Sequence, residues 1–396
     1  MRIVSINSVN FGSTGNIMLG IAKEAENAGH ETLVCYLKSR ENERKTVENK
    51  LLIGSRFSRN LHRVLAKWTG FEGCFSLFST WRFLRKLDAW NPDVLHLHNL
   101  HSWYIHLGLL FRWIKKRNIK VVWTLHDCWS LTGHCPYFDI VKCDKWKTGC
   151  HHCSQYKKYP DSKIDNARYM YYFKKKWFAG VKDMTLITPS NWLAGLVKKS
   201  FLNEYPIKVI HNGIDLTVFQ PIESNLREEL KLQDKFVILG CADSWGERKG
   251  LDVVIELSQR LGDGYQVVLV GTNAEIDKEL PSEIISVHRT RNQEELAKYY
   301  TMADVFANPT REEVLGLVNI EALACGTPVV TFASGGSPEC VDKSCGIVVP
   351  CDDADAMEKE IRYVCEGKVF TQDACRKRAE MFDKNDKFQE CVMLYE

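Results

Sequence analysis

Thr310-Arg311-Glu312-Glu313-Val314-Leu315-Gly316-Leu317-Val318-Asn319-Ile320-Glu321-Ala322-Leu323-Ala324-Cys325-Gly326-Thr327-Pro328-Val329-Val330 carries the densest signal in the chain. The apolar run just before it, residues 305–307, reads as a strand that ends in a polar loop. A helix is expected to start near Gly316 and to be capped by Gly326, with Pro328 opening the next strand. A helix N-terminus presents unpartnered N–H groups and a partial positive charge, which suits a phosphate. A glycine there lets the phosphate approach the backbone. Glu313 lies just before the helix and Glu321 about a turn and a half into it. Two carboxylates would repel a phosphate unless they accept hydrogen bonds from hydroxyls, which sugars supply. Taken alone, the segment is equally an ordinary surface helix with two solvated glutamates.

Outward from this segment, short apolar runs alternate with amphipathic stretches, the pattern of parallel α/β domains. Strands are predicted at residues 2–6, 31–36, 94–98, 120–125, 185–188 and 208–210. A second series follows at 236–240, 266–270, 284–288, 305–307 and 327–332. Helices are predicted at about 16–28, 251–261 and 293–301. Residues 215–225 lose strand patterning and carry Pro221, marking a connector. The expected organisation is an N-terminal domain over 1–218, a C-terminal domain over 219–378, and a final helix over 379–396 packed back on the first domain. Both domains are expected to be doubly wound and Rossmann-like, and to face each other across a cleft.

A chain of 396 residues with 45% hydrophobic and 26% charged composition is an ordinary globular protein, long for a single core. No run is long enough to span a bilayer, and the N-terminus reads as a strand rather than a signal peptide, so a cytosolic location is expected. The net charge of +3 hides an imbalance: residues 1–200 hold about 32 Lys and Arg against about 15 Asp and Glu. A basic half suits a polyanionic partner, either a membrane surface or nucleic acid.

The quoted segment resembles the Glu-x7-Glu signature of glycosyltransferase family 4, whose members have the two-domain GT-B fold. Glu313 and Glu321 fall on its two glutamates, and Leu315-Gly316-Leu317 stands where Phe-Gly-Leu is usual. Ser334-Gly335-Gly336-Ser337-Pro338-Glu339 is similar to the family's Gly-Gly-x-Pro-Glu turn. The N-terminal glycine loop, Thr124-Leu125-His126-Asp127, Pro189-Ser190 and His211-Asn212-Gly213-Ile214-Asp215 follow in the family's order. The resemblance implies a retaining glycosyltransferase that needs no essential metal and takes a UDP- or GDP-sugar. It implies that Glu313 holds donor-sugar hydroxyls and Glu321 the ribose. The backbone at Leu315, Gly316 and Leu317 would cradle the distal phosphate. Arg248 and Lys249 would neutralise the departing diphosphate, a physical need of the reaction because charge develops on the leaving oxygen. The arginine common a few residues earlier is absent from Gly240-Cys241-Ala242-Asp243-Ser244. Asp353-Ala354-Asp355 reads as a helix cap rather than a metal pair.

In the basic half, Phe11-Gly12-Ser13-Thr14-Gly15-Asn16 opens the first helix, and Gly12 and Gly15 would line the ligand site. His126 matches a family histidine close to the donor sugar, and His96, His98 and His101 are expected to pack or to touch the acceptor. Most of the fifteen cysteines, such as Cys35, Cys241, Cys325 and Cys365, read as small core residues. Cys135, Cys143, Cys150 and Cys153 cluster within about twenty residues and admit a structural zinc, packed thiols or disulfides. Residues 56–67 interleave basic and apolar side chains at helical spacing, and 81–86 and 171–177 add aromatic and basic residues. This composition suits either an anionic membrane surface or core-packed aromatics with solvated charges. Family members often use lipid-linked acceptors, so the expected partner is a lipid-linked oligosaccharide at the inner membrane face, in cell-surface polysaccharide assembly. A same-fold epimerase or phosphorylase, and a nucleic-acid-binding protein, are the rival readings.

Overall fold

A computed structural model describes all 396 residues. Two compact units are present, Met1–His211 with Lys387–Glu396, and Asn212–Asp386.

The first unit is built on a seven-stranded, wholly parallel sheet of β1 (Arg2–Asn7), β2 (Glu31–Leu37), β3 (Lys50–Ile53), β4 (Val94–Leu97), β5 (Lys120–Thr124), β6 (Met184–Thr188) and β7 (Ile207–Val209). Its order is β3-β2-β1-β4-β5-β6-β7, so the chain reverses direction across the sheet between β1 and β4. The second unit repeats the plan in six parallel strands: β8 (Phe236–Cys241), β9 (Tyr265–Val270), β10 (Ile285–Val287), β11 (Val305–Asn308), β12 (Val329–Phe332) and β13 (Gly346–Val349). The order β10-β9-β8-β11-β12-β13 places its switch between β8 and β11. Ligands of such sheets bind beyond the strand C-termini at the switch, and the loops there carry the expected site residues.

Central strands are buried on both faces, which is why they read as continuous apolar runs: Val237, Leu239, Val268, Leu269, Val305, Phe306, Val329 and Val330 are nearly inaccessible. The first helix begins earlier than expected, at Gly12, and runs to Asn27. Asp353 caps the helix Ala354–Gly367, its carboxylate accepting from Ala356 N–H.

The compact units divide at His211/Asn212, a few residues before the 218/219 division expected from the sequence. The cause is local pairing, because Ile214 forms a parallel bridge with Asp383. Ile214 N–H donates to Phe382 O and Lys384 N–H to Ile214 O. Lys384 also makes an ion pair with Asp215. These contacts tie 212–218 to the second unit, whose last helix, Lys384–Val392, straddles the boundary. Its end packs Phe388, Cys391, Val392 and Tyr395 against Ile3, Ile17, Ile21 and Val122 of the first unit. No helix is long and apolar enough to cross a membrane.

Candidate functional site

Two loops at the switch of the second sheet are stitched together before any ligand arrives. The loop after β8 ends in a turn, Glu247–Lys249, and Gly250 follows at φ +71. A Cβ on Gly250 would stand 2.3 Å from Pro309 O in the loop after β11, so only glycine permits this approach. Arg311 N–H donates to Arg248 O at 2.9 Å. The Arg311 guanidinium meets both Asp252 oxygens at 2.7 Å and Glu247 O at 2.6 Å. A two-pronged Arg–carboxylate contact fixes direction as well as distance.

This stitching brings Lys249 Nζ to 2.6 Å from Glu313 Oε2. Glu313 Oε1 accepts from Val314 N–H at 3.1 Å, and Gly336 N–H donates to Glu313 O at 3.1 Å. Burial pushes the Glu313 carboxyl up, but the Lys249 ammonium and the Val314 N–H outweigh it and hold it below the usual range. Arg248 stands beside them, its Nη1 donating to Glu312 O at 3.3 Å.

Gly316, at φ +89, is the N-cap of the helix Leu317–Ala324. Asn319 N–H donates to Gly316 O, and Asn308 Nδ2 donates to Asn319 Oδ1 at 2.8 Å, which orients the Asn319 amide. Ser337 Oγ is buried and makes no hydrogen bond, and the buried Asn319 amide has the Cys340 thiol as a further neighbour; Asn319 Nδ2 and Ser337 Oγ would lie 3.1 and 3.4 Å from a Cβ on Gly316. A buried polar atom left unsatisfied is costly, so the convergence of these two groups on a helix amino end marks a place where an acceptor-rich group fits. Glu321, lower on the helix, accepts from Tyr300 OH at 2.9 Å. Burial raises its carboxyl to about 7, against the pull of that hydrogen bond. One carboxylate is thus held ionised beside a lysine, and the other is poised to be neutral and to donate as well as accept.

Gly12 and Gly15 lie in the first turn of the helix Gly12–Asn27, and His126 follows the end of β5. Gly12 adopts φ +65, and a Cβ on Gly15 would meet the Asn10 backbone at 2.6 Å. His126 Nε2 lies 3.0 Å from His98 Nδ1, with the rings stacked at 5.3 Å. His98 in turn stacks on His96, which is held between Tyr395 OH at 2.7 Å and Thr124 Oγ1 at 2.8 Å. Burial lowers His126 to about 4, so it is a neutral imidazole at physiological pH. His96 and His98 are packed as expected, whereas His101 pairs with Asp127 at 3.0 Å and touches Tyr159 OH at 2.9 Å.

Sequence reasoning did not find Tyr300, Asn319, Ser337 or the His101–Asp127 pair. It also missed Lys174, a fully buried ammonium that donates to Trp129 O at 2.7 Å and Thr132 O at 3.0 Å and lies 3.4 Å from the Trp129 ring centre. Their partners lie far away in sequence, so no local pattern announces them. The run of three lysines at 174–176 was the one available signal, and it reads as solvent-facing.

Cys135, Cys143, Cys150 and Cys153 are free thiols lining one cavity of about 20 Å³. The Cys135 thiol hydrogen-bonds Cys153, and Gly133 N–H points at Cys150 Sγ at 3.2 Å. In this packing no three His, Cys, Asp or Glu side chains form a group that would hold a metal ion.

Comparison with known proteins bears on the whole chain. Residues 14–218 match the family model "Glycosyltransferase Family 4", and residues 223–387 match "Glycosyl transferases group 1". Similarity extends to WcaC of Escherichia coli (strain K12), a candidate colanic acid biosynthesis glycosyl transferase, with 27% identity over 77% of this chain and 76% of that protein. The chain is also similar to the GDP-mannose-dependent alpha-(1-6)-phosphatidylinositol monomannoside mannosyltransferase of Mycolicibacterium smegmatis. That match is 37% identical and covers 37% of this chain and 43% of that enzyme. Anabaena HepE, solved in complex with UDP-glucose, shares the fold at a TM-score of 0.68 and 15% identity, over 99% of both chains.

Proposed function

The chain belongs to glycosyltransferase family 4 and has the GT-B fold, and from that premise we propose that it is a retaining, metal-independent hexosyltransferase of cell-surface polysaccharide assembly. It takes a UDP- or GDP-sugar and glycosylates a glycan or a lipid-linked oligosaccharide at the cytoplasmic face of the membrane. Colanic acid biosynthesis for WcaC, GDP-mannose and phosphatidylinositol monomannoside for the mycobacterial enzyme, and UDP-glucose bound to HepE support this range of donors and acceptors.

In this reading the diphosphate sits against the helix Leu317–Ala324, on the amides at Gly316 and Leu317, with Leu315 packed beneath. Lys249 and Arg248 neutralise the charge that develops as the bond from the sugar's anomeric carbon to the phosphate oxygen breaks. The acceptor hydroxyl attacks the same face of that carbon, and its proton passes to the departing phosphate oxygen. Glu313, held ionised, accepts from the donor sugar's hydroxyls, and Glu321 from the ribose. Within the first unit, Gly12, Gly15 and a neutral His126 are the proposed ligand-binding residues. The observation that carries the reading is the Lys249–Glu313 pair beside a glycine-capped helix end on which the buried, unsatisfied Ser337 hydroxyl and the Asn319 amide converge. The four thiols of Cys135, Cys143, Cys150 and Cys153 line one cavity but are not arranged around a common centre, so a structural zinc there requires them to close in from this packing. About one equivalent of zinc is expected in protein purified without chelator; zinc-free protein with unchanged melting would remove it.

The test is product analysis with UDP- and GDP-sugars, with and without a membrane extract as the acceptor source. Nucleoside diphosphate release that needs the extract supports transfer. Sugar interconversion without acceptor would make the protein an epimerase, and dependence on inorganic phosphate a phosphorylase.

A further inference from the structure

The helix Arg56–Thr69 is inverted relative to an ordinary surface helix. Its inward face is made by His62 and Ala66, and its largest apolar side chains point to solvent. Phe57 is 77% exposed, Leu61 47%, Val64 49% and Trp68 63%. At about 100° per residue these four fall within a sector of about 60°, a continuous stripe opposite the buried face. The inward face is anchored by polar contacts: His62 Nε2 accepts from Gly73 N–H at 3.1 Å, and His62 Nδ1 lies 2.9 Å from Ser76 Oγ.

That anchor leads directly into the helix Leu77–Trp90, which opens with three more exposed apolar residues, Leu77, Phe78 and Trp81. Phe78 and Trp81 stack on each other at 5.8 Å, and Arg85 lies 5.7 Å from the Trp81 ring centre. Between the amino ends of the two helices is a cavity of about 360 Å³, with Phe78 on its lining. Three cations, Lys38, Arg82 and Lys86, line it with Ser55 and Ser79, and no carboxylate does. None of the three makes an ion pair within the protein, whereas Arg56 pairs with Glu43 and Lys67 with Asp161. The first helix carries four basic residues (Arg56, Arg59, Arg63, Lys67) and the second three (Arg82, Arg85, Lys86), against one acid, Asp88.

We infer that this face of the first unit docks on an anionic lipid bilayer. The Phe57–Trp68 stripe and the Phe78–Trp81 pair enter the headgroup–acyl boundary, and the Lys38–Arg82–Lys86 cavity receives a lipid phosphate. Exposed aromatics on a helix flanked by cations are suited to that boundary, where one side is apolar and the other wet. Charge decides against a second copy of the chain, which would bring a second set of unneutralised cations to the same face. The inference gives a purpose to the lipid-linked acceptor proposed above, but its evidence is independent of it.

The test is co-sedimentation of the full chain, without any nucleotide or acceptor, with vesicles of phosphatidylcholine alone and with about one third phosphatidylglycerol. At low salt the wild type is expected to bind anionic vesicles at least about tenfold more than neutral ones, and less as salt rises. A Phe57→Ser/Trp68→Ser variant should lose most binding to both. An Arg82→Glu/Lys86→Glu variant should lose the anionic preference. Circular dichroism checks folding, and donor binding measured by thermal shift should be unchanged in both variants, so failure here is separable from failure of the transferase reading. Wild-type protein that stays in the supernatant, or variants that bind like wild type, would overturn the inference. So would a concentration-dependent dimer, measured by light scattering, that the Trp68 change abolishes.

Discussion

Glu313 and Glu321 are eight positions apart on one loop-and-helix segment, yet their surroundings drive their chemistry in opposite directions. Lysine contact holds the first ionised; burial raises the second from 4.5 to about 7. A carboxyl raised in the folded state binds its proton more tightly there than when unfolded. Its contribution to stability is therefore complete below about 4.5 and is lost as pH rises through about 7. Glu321→Gln removes that dependence. Melting temperatures measured from about pH 5 to pH 8 should show the wild type falling relative to the variant, and a constant gap across the range would refute the assignment. At this scale the acids and the basic pair were legible, because each is a residue type fixed by its role against phosphate or sugar. Tyr300, which supports Glu321, was not legible: it lies 21 positions upstream on another helix and contacts Glu321 only in the folded protein.

At the level of the element, the site depends on backbone approaches that admit no side chain. Gly335 adopts φ +54, and a Cβ there would sit 1.7 Å from Glu313 O, the carbonyl that Gly336 N–H holds. Gly335→Ala should cost about 3 kcal/mol and weaken nucleotide binding, because the loop carrying Glu313 must shift. Gly262, at φ +81 and ψ −177 in open space, supplies the control: Gly262→Ala strains the backbone alone and should cost about 2 kcal/mol without touching binding. Equal effects on nucleotide affinity from both would show that the close approach is unimportant. The central strands were readable as apolar runs for the same reason that they are buried on both faces. The edge strands Lys50–Ile53 and Gly346–Val349 were missed, since each is four residues long and only partly buried. Residues 56–67 read as helical in period, but the sequence alone leaves open whether their apolar side chains face the core. Only the buried His62 and Ala66 on the opposite side decide it.

Across the whole molecule, the two sheets repeat one plan, and the C-terminal tail completes the first of them. Tyr395 is buried and contacts His96 at 2.7 Å, while Lys120 Nζ reaches Tyr395 O at 3.0 Å. Removing Lys387–Glu396 should therefore leave the first unit unable to fold stably, visible as loss of its cooperative melting transition. Tyr395→Phe, which leaves the buried His96 Nδ1 without its partner, should cost about 2 kcal/mol. A truncated chain that melts like the full one would contradict the packing. The compact units divide at His211/Asn212 because Ile214 pairs with Asp383, and local composition says nothing of that bridge. The proposed transfer requires a nucleoside diphosphate to seat at the Gly316 helix end under the grip of Lys249. A thermal-shift titration with UDP, GDP, ADP and CMP and their sugar conjugates tests it most directly. One diphosphate should raise the melting temperature of the wild type, Glu321→Ala should weaken that rise, and Lys249→Ala should abolish it. No shift with any nucleotide, or a Lys249→Ala protein that responds like the wild type, would contradict the account.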